Sequence, residues 1–283
     1  MKFIIGVVLV FASMIIGYTM VGGDLLVLWH LNEVIIIFGI AFGAFLIANP
    51  GHVIKHSFKA CLSLFKGSDY PKKRYMSLLA MLYALFQKAR KDGLMGIESD
   101  IEEPENSEIF KKYPDVLKDH HAMEFICDYM RLVVGGNMNP FELDNLMSQE
   151  IDKHHHEANE PAEAVGRVAD GMPALGIVAA VLGIVITMSY LNEGPDVIGA
   201  KVAGALVGTF MGIYFAYGFF GPMSANLGMR ANESTDYMNV IKAAILANVQ
   251  GYTPQIAVEF GRKVMPGTVR PSFTELEEYV RNA

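Results

Sequence analysis

The side chains best suited to chemistry are a carboxylate and three histidines in the middle of the chain. Glu150 lies one helical turn before His154, and His155 and His156 follow directly. A carboxylate and an imidazole at this spacing can share a metal ion, but a stable site needs further ligands and the sequence supplies none nearby. The sequence also contains neither a phosphate-binding Gly-x-x-x-x-Gly-Lys motif nor a nucleophile beside a plausible base. We therefore predict no metal site, no cofactor and no enzyme activity.

The composition instead indicates a membrane protein. The chain of 283 residues is 52% hydrophobic and 19% charged, and its mean hydropathy is +0.29, which is outside the usual range of soluble domains. The apolar residues cluster in four segments that are long enough, or nearly so, for a helix to cross a bilayer, which takes about 20 residues. These segments are Phe3–Val21, Val34–Ala48, Pro173–Tyr190 and Val202–Pro222. The first is too long for the apolar part of a signal peptide and no cleavage site follows it, so we expect it to be retained.

None of the four segments contains a charged residue. A protein that moves ions by itself normally carries an acid or a base inside a span, because that group is the carrier. The nearest candidates, Asp24, Glu33, Asp170 and Asp196, lie at or beyond the ends of the segments. We expect them to be exposed to water. If this protein conducts an ion, the sequence therefore predicts that another chain supplies the carboxylate.

The last two spans carry small residues and hydroxyls at helical spacing. One row is Gly176, Ala180, Gly183 and Thr187, the other is Ala205, Thr209, Gly212 and Ala216, and Gly204, Gly208 and Gly212 form an adjoining row. Gly39 and Gly43 repeat the pattern in the second span. Such rows let helices approach closely. They could serve only to pack the helices of this chain, or they could receive the helix of another chain that brings the carboxylate.

The distribution of basic residues predicts the orientation. The segment 50–170 carries 15 of the 23 lysines and arginines and the segment after Pro222 carries six, whereas residues 22–33 carry none. Because positively charged flanks stay inside, both termini and the long middle segment are predicted to be cytoplasmic. We predict an all-α membrane protein divided into spans one and two (1–49), a helical cytoplasmic domain (50–170), spans three and four (171–222) and a cytoplasmic tail (223–283). The net charge of −7 argues against nucleic acid as a partner.

Local signals place helices in the predicted cytoplasmic part. Apolar residues recur at helical spacing over Tyr75–Ala89, and Gly93 marks the end of that helix. Asn139 before Pro140 marks the start of another helix, which should run on toward span three. A turn at 49–51 is expected to lead into a helix over Gly51–Phe65 along the inner membrane surface.

The charged residues of this part allow two interpretations. A solvated helix face explains any single one of them, while a docking surface of alternating sign would use them to select a partner. They are Arg90, Glu98, Asp100, Glu102, Glu103 and Glu150. Pro173 and Pro222 lie at the inner ends of spans three and four. Pro173 can be an ordinary first helical residue and Pro222 can end or bend its helix, or both can be hinges that couple the membrane to the cytoplasmic domain.

Several stretches of the sequence together are similar to one known family. They are Pro173-Ala-Leu-Gly-Ile-Val-Ala-Ala-Val-Leu-Gly183, Val207-Gly-Thr-Phe-Met-Gly212 with Ala216-Tyr-Gly218 and Pro222, Gly251-Tyr-Thr-Pro-Gln-Ile-Ala-Val-Glu-Phe-Gly-Arg-Lys263, and Arg270-Pro-Ser-Phe-Thr-Glu-Leu-Glu-Glu278. The likeness covers nearly the whole chain. With its short outer loops and its large loop between spans two and three, the chain resembles the MotA family, the ion-driven stator subunits of the bacterial flagellar motor.

The resemblance implies a pentamer of this chain in the inner membrane around two copies of a MotB-type partner, whose single transmembrane helix carries the ion-binding aspartate. Ion passage along spans three and four would turn the pentamer, and its cytoplasmic rim would push the rotor switch protein FliG. In the family, rotor-facing charges fall at Arg90 and Glu98, and Glu150 resembles a third. Pro173 and Pro222 match the two prolines associated with coupling.

The resemblance also bears on the ion. Sodium-type relatives place a hydroxyl on span three that faces the threonine of span four, whereas this chain has Ala180 there and keeps Thr209. With Gly176 and Gly212 as the other lining residues, a proton-type path is expected. Thr187 could supply a hydroxyl deeper in the span and leaves a sodium-type stator open. The other alternative is an energiser of the ExbB or TolQ type, which usually has three spans and so fits the two N-terminal spans less well.

Overall fold

The computed structural model describes residues 2–136 and 138–282, and within these ranges the secondary structure is helical. The α-helices are, in chain order, α1 (Lys2–Met20), α2 (Leu31–Ala48), α3 (Gly51–Ser63), α4 (Lys72–Asp92), α5 (Glu98–Glu102), α6 (Glu108–Lys111), α7 (Pro114–Leu117), α8 (His120–Val134), α9 (Pro140–Met188), α10 (Pro195–Phe215), α11 (Gly221–Val249), α12 (Pro254–Val264) and α13 (Phe273–Asn282). Short 3-10 helices cover Leu25–Leu28 and Leu94–Ile97, and a π-helix covers Ala216–Phe220.

Four helical segments are long and apolar enough to cross a membrane, which confirms a multi-pass membrane protein. They are Lys2–Met20, Leu25–Ala48, Pro140–Met188 and Pro195–Val249. The predicted third span is the end of α9, a single helix of 49 residues. The expectation that the helix starting near Asn139 runs on into span three is therefore confirmed. The interpretation of Pro173 as a first helical residue is wrong, because α9 continues through it.

The chain forms two compact units. The first contains Met1–Gly67 and Asn159–Arg230, and the second contains Ser68–Ala158 and Ala231–Ala283. The long helices α9 and α11 contribute residues to both. The boundaries of these units differ from the predicted domain boundaries at residues 49, 170 and 222. The predicted boundaries mark where apolar segments end, whereas the units reflect which residues pack together.

The first unit is built around contacts of α2, α9 and α10. Its main core cluster consists of Ile37, Ala41, Met172, Ala179, Val207, Met211 and Ala216. The helix α1 is joined to α10 within this unit by a hydrogen bond of 3.1 Å from the Tyr214 hydroxyl to the Val10 carbonyl. No described residue of α1 is fully buried. Ile4, Ile5, Val8, Leu9, Ile15 and Ile16 are exposed, as expected of a helix face that meets lipid.

The second unit is built around α4. This helix buries Leu78, Leu79, Leu82, Leu85 and Phe86 completely, and the residues packed around them come from α8, α12 and α13 among other elements. Its predicted end is confirmed: the helix stops at Asp92, and Gly93 follows with φ of +80°, a conformation that favours glycine.

Candidate functional sites

The rows of small residues on spans three and four face each other within the chain. A β-carbon added to Gly212 would lie 2.6 Å from the Met172 carbonyl oxygen and 2.8 Å from Gly176 Cα, and one added to Gly183 would lie 2.7 Å from Ala205 Cβ. These glycines therefore pack α9 against α10. Gly176 and Gly212 are buried in this contact, as the helix-packing interpretation predicts, while Gly183 is half-buried.

The other predicted lining residues differ in accessibility. Ala180 and Thr209 are half-buried, and the Ala180 backbone nitrogen lies beside Gly208, the neighbour of Thr209. Thr187 is buried, and its hydroxyl donates a hydrogen bond of 2.8 Å to the Gly183 carbonyl. The hydroxyl proton of Thr187 is thus used within α9. By contrast, a β-carbon at Gly39 or Gly43 would meet nothing within 4 Å, so the small residues of span two make no close approach inside the chain.

Glu33 is not exposed to water, contrary to expectation. It lies in the first turn of α2 with 7% of its surface accessible, and its Oε2 atom has no hydrogen-bond partner among the described residues. By contrast, Asp24, Asp170 and Asp196 are exposed as predicted. A signal for the burial was present in the sequence. Glu33, Ile37 and Ala41 follow one another at intervals of four residues, so Glu33 belongs to the buried face of the helix.

The two prolines associated with coupling lie in different backbone settings. Pro173 is inside α9, where it cannot donate the backbone hydrogen bond to the carbonyl four residues earlier. Pro222 directly follows the π-helix, in which the Gly221 N–H bonds the Ala216 carbonyl five residues earlier. The wider π turn accommodates the missing donor of Pro222 without ending the helix. The interpretation of Pro222 as a helix end is therefore wrong.

Two of the predicted rotor-facing charges, Arg90 and Glu98, are exposed on the second unit. Arg90, in the last turn of α4, and Glu98, at the start of α5, are exposed, and the structure shows no ion pair for either side chain among the residues it describes. Arg90 also lines an open groove of 740 Å³ together with Lys91 and Gln255. Both side chains therefore face solvent.

The other charged residues of this region have internal partners. Glu150 is exposed but accepts a hydrogen bond of 2.7 Å from the Tyr129 hydroxyl. Asp100 is only 5% exposed and accepts hydrogen bonds of 2.7 Å from Lys88 and 2.7 Å from Ser107. The interpretation of Asp100 as part of a solvated face is wrong, because its carboxylate links α4 to the segment that leads into α6.

The histidines of α9 hydrogen-bond hydroxyls on α11. The His154 Nε2 atom lies 2.8 Å from the Ser234 hydroxyl oxygen, and the His155 Nδ1 atom lies 2.9 Å from that of Thr235. Burial lowers the pKa of His154, and the nearby His121 adds to the effect. The lowered pKa favours a neutral imidazole that pairs with a hydroxyl.

Comparisons with known proteins agree with this geometry. The family model described as "Motility protein A N-terminal" matches residues 4–93, and the one described as "MotA/TolQ/ExbB proton channel family" matches residues 118–240. The chain is 46% identical to Motility protein A of Salmonella typhimurium and 44% identical to that of Escherichia coli, each over 99% of this chain and 95% of the relative. It is also 36% identical to Chemotaxis protein LafT of Vibrio parahaemolyticus over 99% of this chain and 98% of the relative.

Two solved structures share the fold. The MotAB structure from C. jejuni matches with a TM-score of 0.77 at 24% identity and covers 94% of this chain and 96% of that one. The flagellar MotAB stator complex from Bacillus subtilis matches with a TM-score of 0.73 at 21% identity over 90% and 92% of the two chains. Identity over nearly full length, the match to both family models and the shared four-span helical fold lead to one conclusion. The chain belongs to the Motility protein A family of flagellar stator ion-channel subunits.

Proposed function

We propose that this chain conducts protons together with a MotB-type single-span partner and converts their flow into torque on the rotor switch protein FliG. The observation that supports this most is the near full-length similarity to Motility protein A relatives. The titles of the two related structures name MotAB complexes, which favours the partner. We further propose an assembly of five copies of this chain around two of the partner, in the inner membrane with both termini in the cytoplasm.

The choice of a proton rests on the ligands that the path offers. A sodium ion needs several oxygen atoms that replace its water shell. At the predicted lining position of span three stands Ala180, which has no side-chain oxygen, while Thr209 of span four has a hydroxyl; both are half-buried. Thr187 donates its hydroxyl proton to the Gly183 carbonyl, and its oxygen remains a candidate ligand. Because Ala180 removes one oxygen ligand from span three, we favour a proton over a sodium ion.

We expect motility to follow the proton gradient. In cells that rely on this chain, removal of sodium at constant proton-motive force should leave the swimming speed unchanged, whereas a protonophore at constant sodium should stop swimming. Swimming speed measured by tracking single cells distinguishes the two ions. Loss of swimming on removal of sodium alone would show that the ion is sodium, with Thr209 and Thr187 as its first candidate ligands.

We expect the substitution Arg90→Glu to impair torque strongly while the protein still inserts and assembles. Reversal of an exposed charge at a docking surface mainly affects recognition, and repulsion of like charges across such an interface costs several kcal/mol. The measurement is the rotation speed of tethered cells, with the amount of membrane-inserted protein as a check. Lys73→Glu is a matched control, since Lys73 is exposed at the other end of the same helix. Normal rotation with Arg90→Glu would argue against a rotor-facing role.

A further inference from the structure

A buried acid lies inside the bundle of spans. Glu33 has 7% of its surface exposed, and Oε2 makes no hydrogen bond to any residue that the structure describes. An ionised carboxylate with an unsatisfied oxygen is costly to bury in protein and more so at membrane depth. Packing alone does not explain an acid at this position, because an apolar side chain of similar size would fill the same space without that cost.

The carboxylate is aimed at the contact between spans three and four. A β-carbon added to Gly208 would lie 2.8 Å from Glu33 Oε2, 3.1 Å from Ala179 Cβ and 3.3 Å from the Ala180 backbone nitrogen. The acid thus lies against bare backbone on α10 and beside α9. Ala180, whose backbone nitrogen lies at this contact, and Thr209, the next residue after Gly208, are among the residues that the family resemblance assigns to the ion path.

The imidazole of His30 lies against Gly204, the glycine one helical turn closer to the start of α10. A β-carbon at Gly204 would lie 3.0 Å from His30 Cε1 and 3.3 Å from its Nδ1. Gly204 and Gly208 are one helical turn apart, and so are His30 and Glu33, so the two glycines make room for two titratable side chains. At this level α9 presents Ala179 and Ala180 to Glu33, and α10 presents Gly208.

We propose that Glu33 is a second proton-binding carboxylate of the ion path, contributed by this chain itself. The proposal rests on the proposed function above, in which α2 begins at the outer side. Glu33 takes one proton from a hydronium ion in the outer water, which leaves water and a neutral carboxylic acid. The acid then releases the same proton to the partner's carboxylate and becomes ionised again. His30, half-buried at the start of α2, lies on the side of Glu33 from which the proton arrives.

The test measures proton flux in membrane vesicles that contain the full chain together with its single-span partner. The probe is an imposed proton gradient, read by a pH-sensitive dye, and co-purification of the partner is measured on the same membranes. Glu33→Gln keeps the shape but cannot exchange a proton, and we expect flux to fall at least about tenfold while partner binding is unchanged. Glu33→Asp keeps a titratable group and should retain more flux than Glu33→Gln. Asp196→Asn is the matched control, since Asp196 is an exposed acid in the first turn of α10.

Three results would overturn the proposal, and they differ in what else they affect. If the wild type conducts protons and Glu33→Gln conducts them equally well, Glu33 has no role in the ion path and the proposed function stands. Loss of the partner from the Glu33→Gln membranes assigns Glu33 to assembly. Absence of proton flux from the wild-type pair refutes the proton-conducting function and the role of Glu33 with it.

Discussion

Replacement of Gly212 by valine is expected to disrupt the packing of spans three and four. The β-carbon of any other residue would lie 2.6 Å from the Met172 carbonyl oxygen, 2.8 Å from Gly176 Cα and 3.0 Å from Gly176 N. All three are backbone atoms, so no side-chain movement can relieve the overlap and the two helices must separate. Overpacking of a well-packed interior costs about 1–3 kcal/mol when side chains can adjust, and a backbone clash should reach the upper end of this range or exceed it.

The measurement is thermal unfolding of the full chain in detergent. A loss of about 3 kcal/mol corresponds to a decrease of roughly 6–12 °C in Tm for a chain of this size. Gly199→Ala is the matched control, because Gly199 lies in the same helix and an added β-carbon there meets nothing within 4 Å. That substitution should be neutral or raise stability by about 0.5–1 kcal/mol, since alanine favours the helix. An unchanged Tm for Gly212→Val would contradict the close contact of α9 and α10.

The second large effect is expected from Asp119→Ala in the second unit. The Asp119 Oδ2 atom accepts a hydrogen bond of 2.6 Å from Arg74, and Oδ1 accepts one of 3.3 Å from the Ala122 backbone N–H at the start of α8. The pair is largely buried, with 16% of the Arg74 side chain and 11% of the Asp119 side chain exposed. The Arg74 Nε atom already has no hydrogen-bond partner among the described residues. Without the carboxylate, the guanidinium would lose its buried counter-charge, while its hydrogen bond to the Asp69 carbonyl and its contacts with the Tyr70 and Tyr237 rings would remain.

We expect Asp119→Ala to destabilise the protein by about 3–4 kcal/mol. Of this, about 1 kcal/mol comes from the lost helix cap and the rest from a buried cation without its counter-charge. Asp119→Asn should cost less, because the amide still caps the helix. Thermal unfolding of the full chain distinguishes the variants, and Glu124→Ala, an exposed change in the same helix, should lie within about 0.5 kcal/mol of the wild type. Equal stability of Asp119→Ala and Glu124→Ala would show that the Arg74 pair contributes nothing.

Much of the fold could be predicted because its determinants are local. A run of apolar residues partitions into a bilayer independently of the rest of the chain, so hydropathy alone predicts the four spans. The end of α4 at Gly93 and the start of α9 after Asn139 follow from backbone preferences of single residues. The continuous helix through Pro173 was harder to foresee, since local preference favours an interruption at proline.

The candidate sites depended more on contacts between distant residues. The spacing of the small residues predicts that a helix backbone approaches Gly176 and Gly212 closely. Only the structure shows that these two glycines of the same chain approach each other. Charge alone could not separate Asp100 from Glu98. The Asp100 carboxylate is buried and accepts hydrogen bonds from Lys88 and Ser107, whereas the Glu98 side chain is exposed.

The sequence by itself determined the membrane-spanning helices and the family, because hydropathy, helix signals and motifs are properties of consecutive residues. The tertiary structure decided that Glu33 is buried. An acid at the end of an apolar segment can equally face water or a neighbouring helix, and its burial depends on whether α9 and α10 cover it. Gly208, which lies 175 residues further along the chain, provides the space that Glu33 occupies.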